Sequence, residues 1–196
     1  MPCNKIFHNR KSIRLPGYDY AQASAYFVTI CAHQRADLFG EVVRGEMHLN
    51  DMGALVAEEW IKTESIRSEI LLDEWVIMPN HFHAIIMITD GAAKPHIDFS
   101  GYDNCHTRAY CDSRAYCHTP LRSPSKNLGA VVRGFKSAAT RLINQWRKSP
   151  STPVWQRNYY EHIIRNEDEL QDIRKYIQNN PLRWEADSLY SGEIST

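Results

Sequence analysis

Two histidines with one residue between them, His81 and His83, are the first residues of this chain whose types and spacing suggest chemistry. They lie in the run Met78-Pro-Asn-His-Phe-His-Ala-Ile-Ile-Met-Ile. On an extended strand the side chains at i and i+2 point to one face, so both imidazoles project together and can share a metal ion. The plainer role is a solvent-facing or hydrogen-bonded pair. Against it stands the buried-type run Ala84 to Ile88, which draws the pair inward, where its ring nitrogens must be satisfied. A second candidate is Tyr176 with Asn180, four residues apart and therefore on one face of a helix. Its bland counterpart is a tyrosine packed at the core edge and an asparagine ending the helix before Pro181. Tyr159, Tyr160, Glu161 and His162 form a third cluster, a rival tyrosine with acid–base groups beside it; His162 either orients a phosphate or is a buried, hydrogen-bonded histidine.

Charge adds a possible partner surface. Lys plus Arg and Asp plus Glu both total 23, so net charge gives no reason to expect a polyanion. The distribution does: from Thr119 to Pro150 there is no acid, while Arg122, Lys126, Arg133, Lys136, Arg141, Arg147 and Lys148 supply seven positive charges. Such a segment can hold phosphates locally, or it can be a solvated helix face. Three cysteines recur every six residues in Cys105-His-Thr-Arg-Ala-Tyr, Cys111-Asp-Ser-Arg-Ala-Tyr and Cys117-His-Thr-Pro. That period lacks the paired close spacing of common zinc modules, so a duplicated loop insertion is the simpler reading. The five cysteines are an odd number in a chain whose basic Met1 to Arg14 lacks the apolar centre of a signal peptide, which makes reduced thiols and a cytoplasmic location the expectation.

These groups need elements to position them. The β-branched and aromatic run Ala25 to Cys31 predicts a first strand, and Phe39 to Leu49, with Arg44-Gly45 at its centre, predicts a hairpin. Asn50 or Asp51 can cap a helix carrying Met52, Leu55, Val56 and Trp60 to about Glu64. Leu72 to Met78 and His81 to Thr89 read as an antiparallel pair around the turn Pro79-Asn80. The strongest periodicity, Leu128, Val131, Val132, Phe135, Ala138, Ala139, Leu142, Ile143 and Trp146, predicts a helix. Its opposite face presents Arg133, Lys136, Ser137, Thr140, Asn144 and Arg147, a line of donors suited to a nucleic-acid backbone. Asn166 with Glu169 resembles a capping box, and Pro181 ends the last helix near Asn180. The 196 residues suit one domain, 1–196, with a flexible insertion over 90–125; no apolar run is long enough to span a bilayer.

Strand histidines, a helix-borne tyrosine with asparagine one turn later, and a basic helix together resemble the HUH single-strand DNA nucleases. Among them the chain is most similar to the single-tyrosine transposases of the insertion-sequence-200-like superfamily, in the branch of REP-associated tyrosine transposases. Tyr26-Phe-Val-Thr, Trp75-Val-Ile-Met-Pro-Asn-His-Phe-His, and Trp155-Gln-Arg-Asn-Tyr-Tyr-Glu-His-Ile-Ile-Arg-Asn through Tyr176-Ile-Gln-Asn-Asn-Pro carry the resemblance. It implies an α+β, ferredoxin-like antiparallel sheet with helices packed on one face. It also implies that His81, His83 and Asn180 hold Mg²⁺ or Mn²⁺, and that Tyr176 is the nucleophile forming a 5′-phosphotyrosine link. The partner implied is single-stranded DNA or a DNA hairpin, with Arg133, Lys136, Arg147, Arg157 and His162 as DNA contacts and both monomer and homodimer left open. Rival readings are a non-catalytic DNA-binding regulator on the same fold and a zinc protein built on the cysteine repeat.

Overall fold

The computed structural model describes residues 23–89 and 127–190; the cysteine repeat, the predicted insertion over 90–125 and the basic N-terminal stretch lie outside them. Among the described residues, six strands and three α-helices follow one another in the order β1 (Ser24–Cys31), β2 (Gly40–Val43), β3 (Glu46–Leu49), α1 (Asp51–Ile66), β4 (Ile70–Met78), β5 (His81–Ile88), α2 (Leu128–Trp146), β6 (Tyr160–Ile164) and α3 (Glu167–Gln178). Four strands form an antiparallel sheet in the order β4-β5-β1-β6, and β2 and β3 pair separately. This is the α+β, ferredoxin-like arrangement expected from the sequence.

Local chemistry explains the boundaries. Arg44 and Gly45 both take positive φ, 54° and 81°, as the central pair of a two-residue hairpin turn requires. Asn50 Oδ1 accepts the Gly53 amide at 3.0 Å and starts α1, and Asn127 Oδ1 accepts the Ala130 amide at 2.9 Å and starts α2. At α3, Asn166 Oδ1 accepts the Glu169 amide at 2.8 Å, while the Glu169 carboxylate reaches back to the Arg165 amide rather than to that of the cap residue.

Strand β5 is central, and from His81 to Ile86 every side chain is buried. Its alternation divides the molecule in two. Phe82, Ala84 and Ile86 join Tyr26, Val28 and Ile30 of β1 under α1 and α2, where Trp60 meets the rings of Phe82 and Phe135 edge-on at 4.8 and 4.9 Å. Burying an aromatic ring such as Phe82 there contributes about 1.5–3 kcal/mol. Phe27 and Ile85 face the other way, onto Leu170, Ile173 and Ile177 of α3. The helices therefore cover both faces of the sheet, not one as expected. Three apolar residues of α3 need a surface, and the first face is already filled by two helices.

Tyr160–Ile164 is a strand pairing antiparallel with β1, and Trp155 forms an isolated bridge with Ala32. Beyond α3, Pro181–Ala186 continues as a 3₁₀ helix that brings Asp187 and Leu189 back against the sheet.

Candidate metal and tyrosine site

The histidine pair lies on the α3 side of β5, with ring centroids 4.5 Å apart and 0% and 2% of the residues exposed. Each ring is oriented by one neighbour. Asn80 Nδ2 donates to the Leu189 carbonyl at 2.8 Å, which turns Asn80 Oδ1 toward His81 Nδ1 at 2.9 Å. Because that oxygen can only accept, His81 carries its proton on Nδ1 and presents the Nε2 lone pair. The Thr29 hydroxyl lies 2.8 Å from His83 Nδ1 and can hold the same tautomer. Outer contacts of this kind are what set imidazole ligands toward a metal.

Helix α3 delivers the tyrosine. Arg174 clamps Asp73 of β4, with Nη2 2.7 Å and Nε 2.9 Å from Oδ2, and Gln178 donates to Glu74 at 3.1 Å. These fix the helix rotation so that the Tyr176 hydroxyl lies 3.3 Å from His83 Nε2, its ring edge-on to Phe27 and to His83. Burial pushes the phenol well above its ordinary pKa, the Asp187 carboxylate raises it further, and a hydrogen bond with Asn180 opposes both. Asn180 is 2% exposed; its Nδ2 donates to Asp187 Oδ2 at 3.1 Å, and its Oδ1 has no hydrogen-bond partner among the described residues.

His81, His83 and Asp187 form a group able to hold a metal ion, with one ligand atom from each lying within 4.8 Å of the others. Two imidazoles, each oriented by a neighbour at Nδ1, a carboxylate, and an amide oxygen that is buried and unpartnered among the described residues fit a divalent cation. Asp187 was not singled out from sequence. It follows Asn180 by seven residues, but α3 has ended by then, and only the 3₁₀ turn Pro181–Ala186 returns it to the site. Asn80 and Thr29 were visible only as parts of motifs, the first in Met-Pro-Asn and the second in Tyr-Phe-Val-Thr.

The predicted DNA contacts fall elsewhere. Arg133, Lys136 and Arg157, with Ser137, Thr140 and Tyr159, line a groove of about 560 Å³ between α2 and the 153–159 segment. Arg133 and Arg157 are exposed. Lys136 is not a free cation: its Nζ donates to the carbonyls of Gln156 at 2.6 Å and Arg157 at 3.2 Å, and burial lowers its pKa. Arg147 is likewise tied, to Asn144 Oδ1 and the Thr152 carbonyl. His162 pairs with Glu169 at 2.7 Å on the α3 side. Of the rival tyrosines, Tyr160 packs against Phe27 and Tyr159 against the α1–α2 core. Groove and site share one end of β1: the amide of Gln156, which lines the groove, donates to the Cys31 carbonyl at 2.9 Å, and Cys31 pairs with His81 across the sheet.

This α+β arrangement of sheet and helices is shared with a transposase of known structure. A solved REP-associated tyrosine transposase bound to a REP hairpin superposes with a TM-score of 0.54 at 17% identity, covering 89% of this chain and 74% of that one. In sequence, an uncharacterized protein of Haemophilus influenzae (strain Rd) is 39% identical over 187 residues, 95% of this chain and 96% of the relative, so the chain belongs to the same family as that protein. No protein-family model matches the chain. Among the described residues no helix is long and apolar enough to cross a membrane.

Proposed function

We propose that this protein is a single-tyrosine DNA strand transferase that cleaves and rejoins single-stranded DNA, with a DNA hairpin as its recognition element. The observation that carries the reading is the Tyr176 hydroxyl 3.3 Å from His83 Nε2, beside the His81–His83 pair. The resemblance in sequence and the fold shared with a hairpin-bound transposase support the substrate class.

In this reading His81 and His83 hold Mg²⁺ or Mn²⁺ through Nε2, with a further oxygen ligand from the Asn180 end of α3. Such a cation, when bound, polarises the scissile phosphate and offsets charge on its oxygens. The chain's own groups do the rest. Tyr176, fixed by the Arg174–Asp73 clamp, presents its oxygen to phosphorus. The phenol loses its proton as the Tyr–O–P bond forms and the bond from phosphorus to the 3′ oxygen breaks, leaving a 5′-phosphotyrosine and a free 3′-OH. Phosphodiester energy is conserved in that link, so rejoining needs no nucleotide. Phe27, stacked on His83 at 5.3 Å and edge-on to Tyr176, keeps both rings in place. Arg133 and Arg157 draw the DNA backbone toward that end of the sheet.

The test is covalent capture. Labelled single-stranded oligonucleotides from the palindromes flanking the gene, incubated with the protein and Mn²⁺, should give an adduct that survives denaturation and disappears in Tyr176→Phe. Retained adduct in that variant would shift the nucleophile to Tyr159 or Tyr160. Binding without any adduct, whichever metal is supplied, would favour a DNA-binding regulator.

A further inference from the structure

We infer that Asp187 is a ligand of the metal centre, so that the site is a two-histidine, one-carboxylate set that favours a first-row transition ion, for which Mn²⁺ serves as the probe, over Mg²⁺. This rests on the metal-dependent reading above and deepens it. Sequence resemblance implies only the amide of Asn180 as third ligand, a neutral oxygen. The structure adds a carboxylate whose ligand atom lies within 4.8 Å of those of both histidines.

Three features argue that this carboxylate is built in. The Leu189 amide donates to Asp187 Oδ1 at 2.7 Å, and Asn180 Nδ2 donates to Oδ2 at 3.1 Å, so both oxygens are oriented from behind. The Leu189 carbonyl in turn receives Asn80 Nδ2, whose own oxygen meets His81. One chain of hydrogen bonds thus sets an imidazole and the carboxylate together, a ligand-orienting arrangement. Finally, Asn180 turns its nitrogen to Asp187 and leaves Oδ1 buried and unpartnered among the described residues, an oxygen suited to the same cation.

Donor chemistry then sets the ion. Imidazole nitrogen suits first-row transition ions, whereas Mg²⁺ keeps several waters and prefers oxygen donors. The carboxylate cancels one of the two cationic charges, which neither imidazole nor amide does.

Direct metal binding decides this, without recourse to activity. Titrating the full chain with Mn²⁺ and reading free Mn²⁺ by electron paramagnetic resonance should show one site per chain. Asp187→Asn should weaken it at least about tenfold, and Asp187→Ala should do the same, with circular dichroism confirming that each variant is folded. Mg²⁺ at tenfold excess should leave most of the Mn²⁺ bound. Wild-type affinity in a folded Asp187→Asn or Asp187→Ala variant would overturn the ligand assignment, and displacement of Mn²⁺ by an equal concentration of Mg²⁺ would overturn the ion class. Absence of any Mn²⁺ site in the wild type would instead overturn the metal-dependent reading itself.

Discussion

The two faces of the central sheet are built from the same strands and do opposite things. Under α1 and α2, the alternate residues of β1 and β5 pack into an apolar core, and the aromatic rings of Trp60, Phe82, Phe135 and Trp155 interlock. Under α3 the intervening residues include, beside Phe27 and Ile85, the polar Thr29, His81 and His83, and the helix brings Tyr176 to them. Exposed Arg133 and Arg157 line the α2 groove, while Arg174 on α3 pairs with Asp73. One side therefore supplies a rigid floor and an outer basic groove, the other a buried polar site. The sheet's pleat, with its period of two, lets a single strand serve both.

If that division of labour is right, binding and chemistry should separate. His83→Ala is expected to lower DNA cleavage by about a hundredfold or more, while affinity for the same oligonucleotide changes by no more than about threefold, since phosphate contacts dominate affinity. Arg133→Ala combined with Arg157→Ala should do the converse, weakening binding and flattening its salt dependence by up to about two ionic contacts, with adduct formation at saturating DNA preserved. Gel-shift titrations across a salt series, run beside the covalent-capture assay, measure both. Loss of DNA affinity in His83→Ala would merge the two regions.

Lys136 tests the groove more finely, because its helical position advertises a DNA contact and its surroundings say otherwise. The ammonium sits against the carbonyls of Gln156 and Arg157 and pins the 153–159 segment to α2. Lys136→Met should cost about 1–3 kcal/mol in urea unfolding, the usual penalty for stranding partners of a charged donor. The salt dependence of DNA binding should stay as in the wild type. A slope lower by about 0.7–0.9 would instead identify Lys136 as a phosphate contact.

The contrast between faces also explains what was legible in the sequence. The bounds of α2, the turn at Arg44-Gly45 and the shared side of His81 and His83 follow from periods of 3.6 and 2 and from turn chemistry, all local properties. Which face of the sheet α3 covers is not local: its stripe of Leu170, Ile173 and Ile177 would suit either side, and occupancy by α1 and α2 decides. The same holds for Lys136, whose loop partners lie twenty residues on. Asp187 was hidden because the 3₁₀ turn after Pro181, not a sequence period, returns it to the histidines. Strand β6 was missed since Tyr160–Ile164 shows little alternation, with every residue but Ile164 only partly buried.

The smallest expected effect concerns His162, which sequence offered as a phosphate contact and which the fold pairs with the first turn of α3. Burial alone would raise the pKa of Glu169, but the Arg165 amide and His162 outweigh it, and the carboxyl ends below its ordinary value. A carboxylate depressed in the folded state contributes stability that is present above its unfolded pKa and lost as pH falls through the folded one. Glu169→Gln should therefore lower Tm at pH 7, by an amount equivalent to about 0.5–1 kcal/mol for a lost cap contact. The gap to wild type should close as pH falls below the ordinary carboxylate range, because the wild-type side chain is then neutral as well. DNA affinity at neutral pH should be unaffected, since what is disturbed is the start of the helix that carries Tyr176 and not a cation in the groove. A gap that persists in acid would mean that the carboxylate's charge contributes nothing there, and a fall in DNA affinity would return His162 to the DNA.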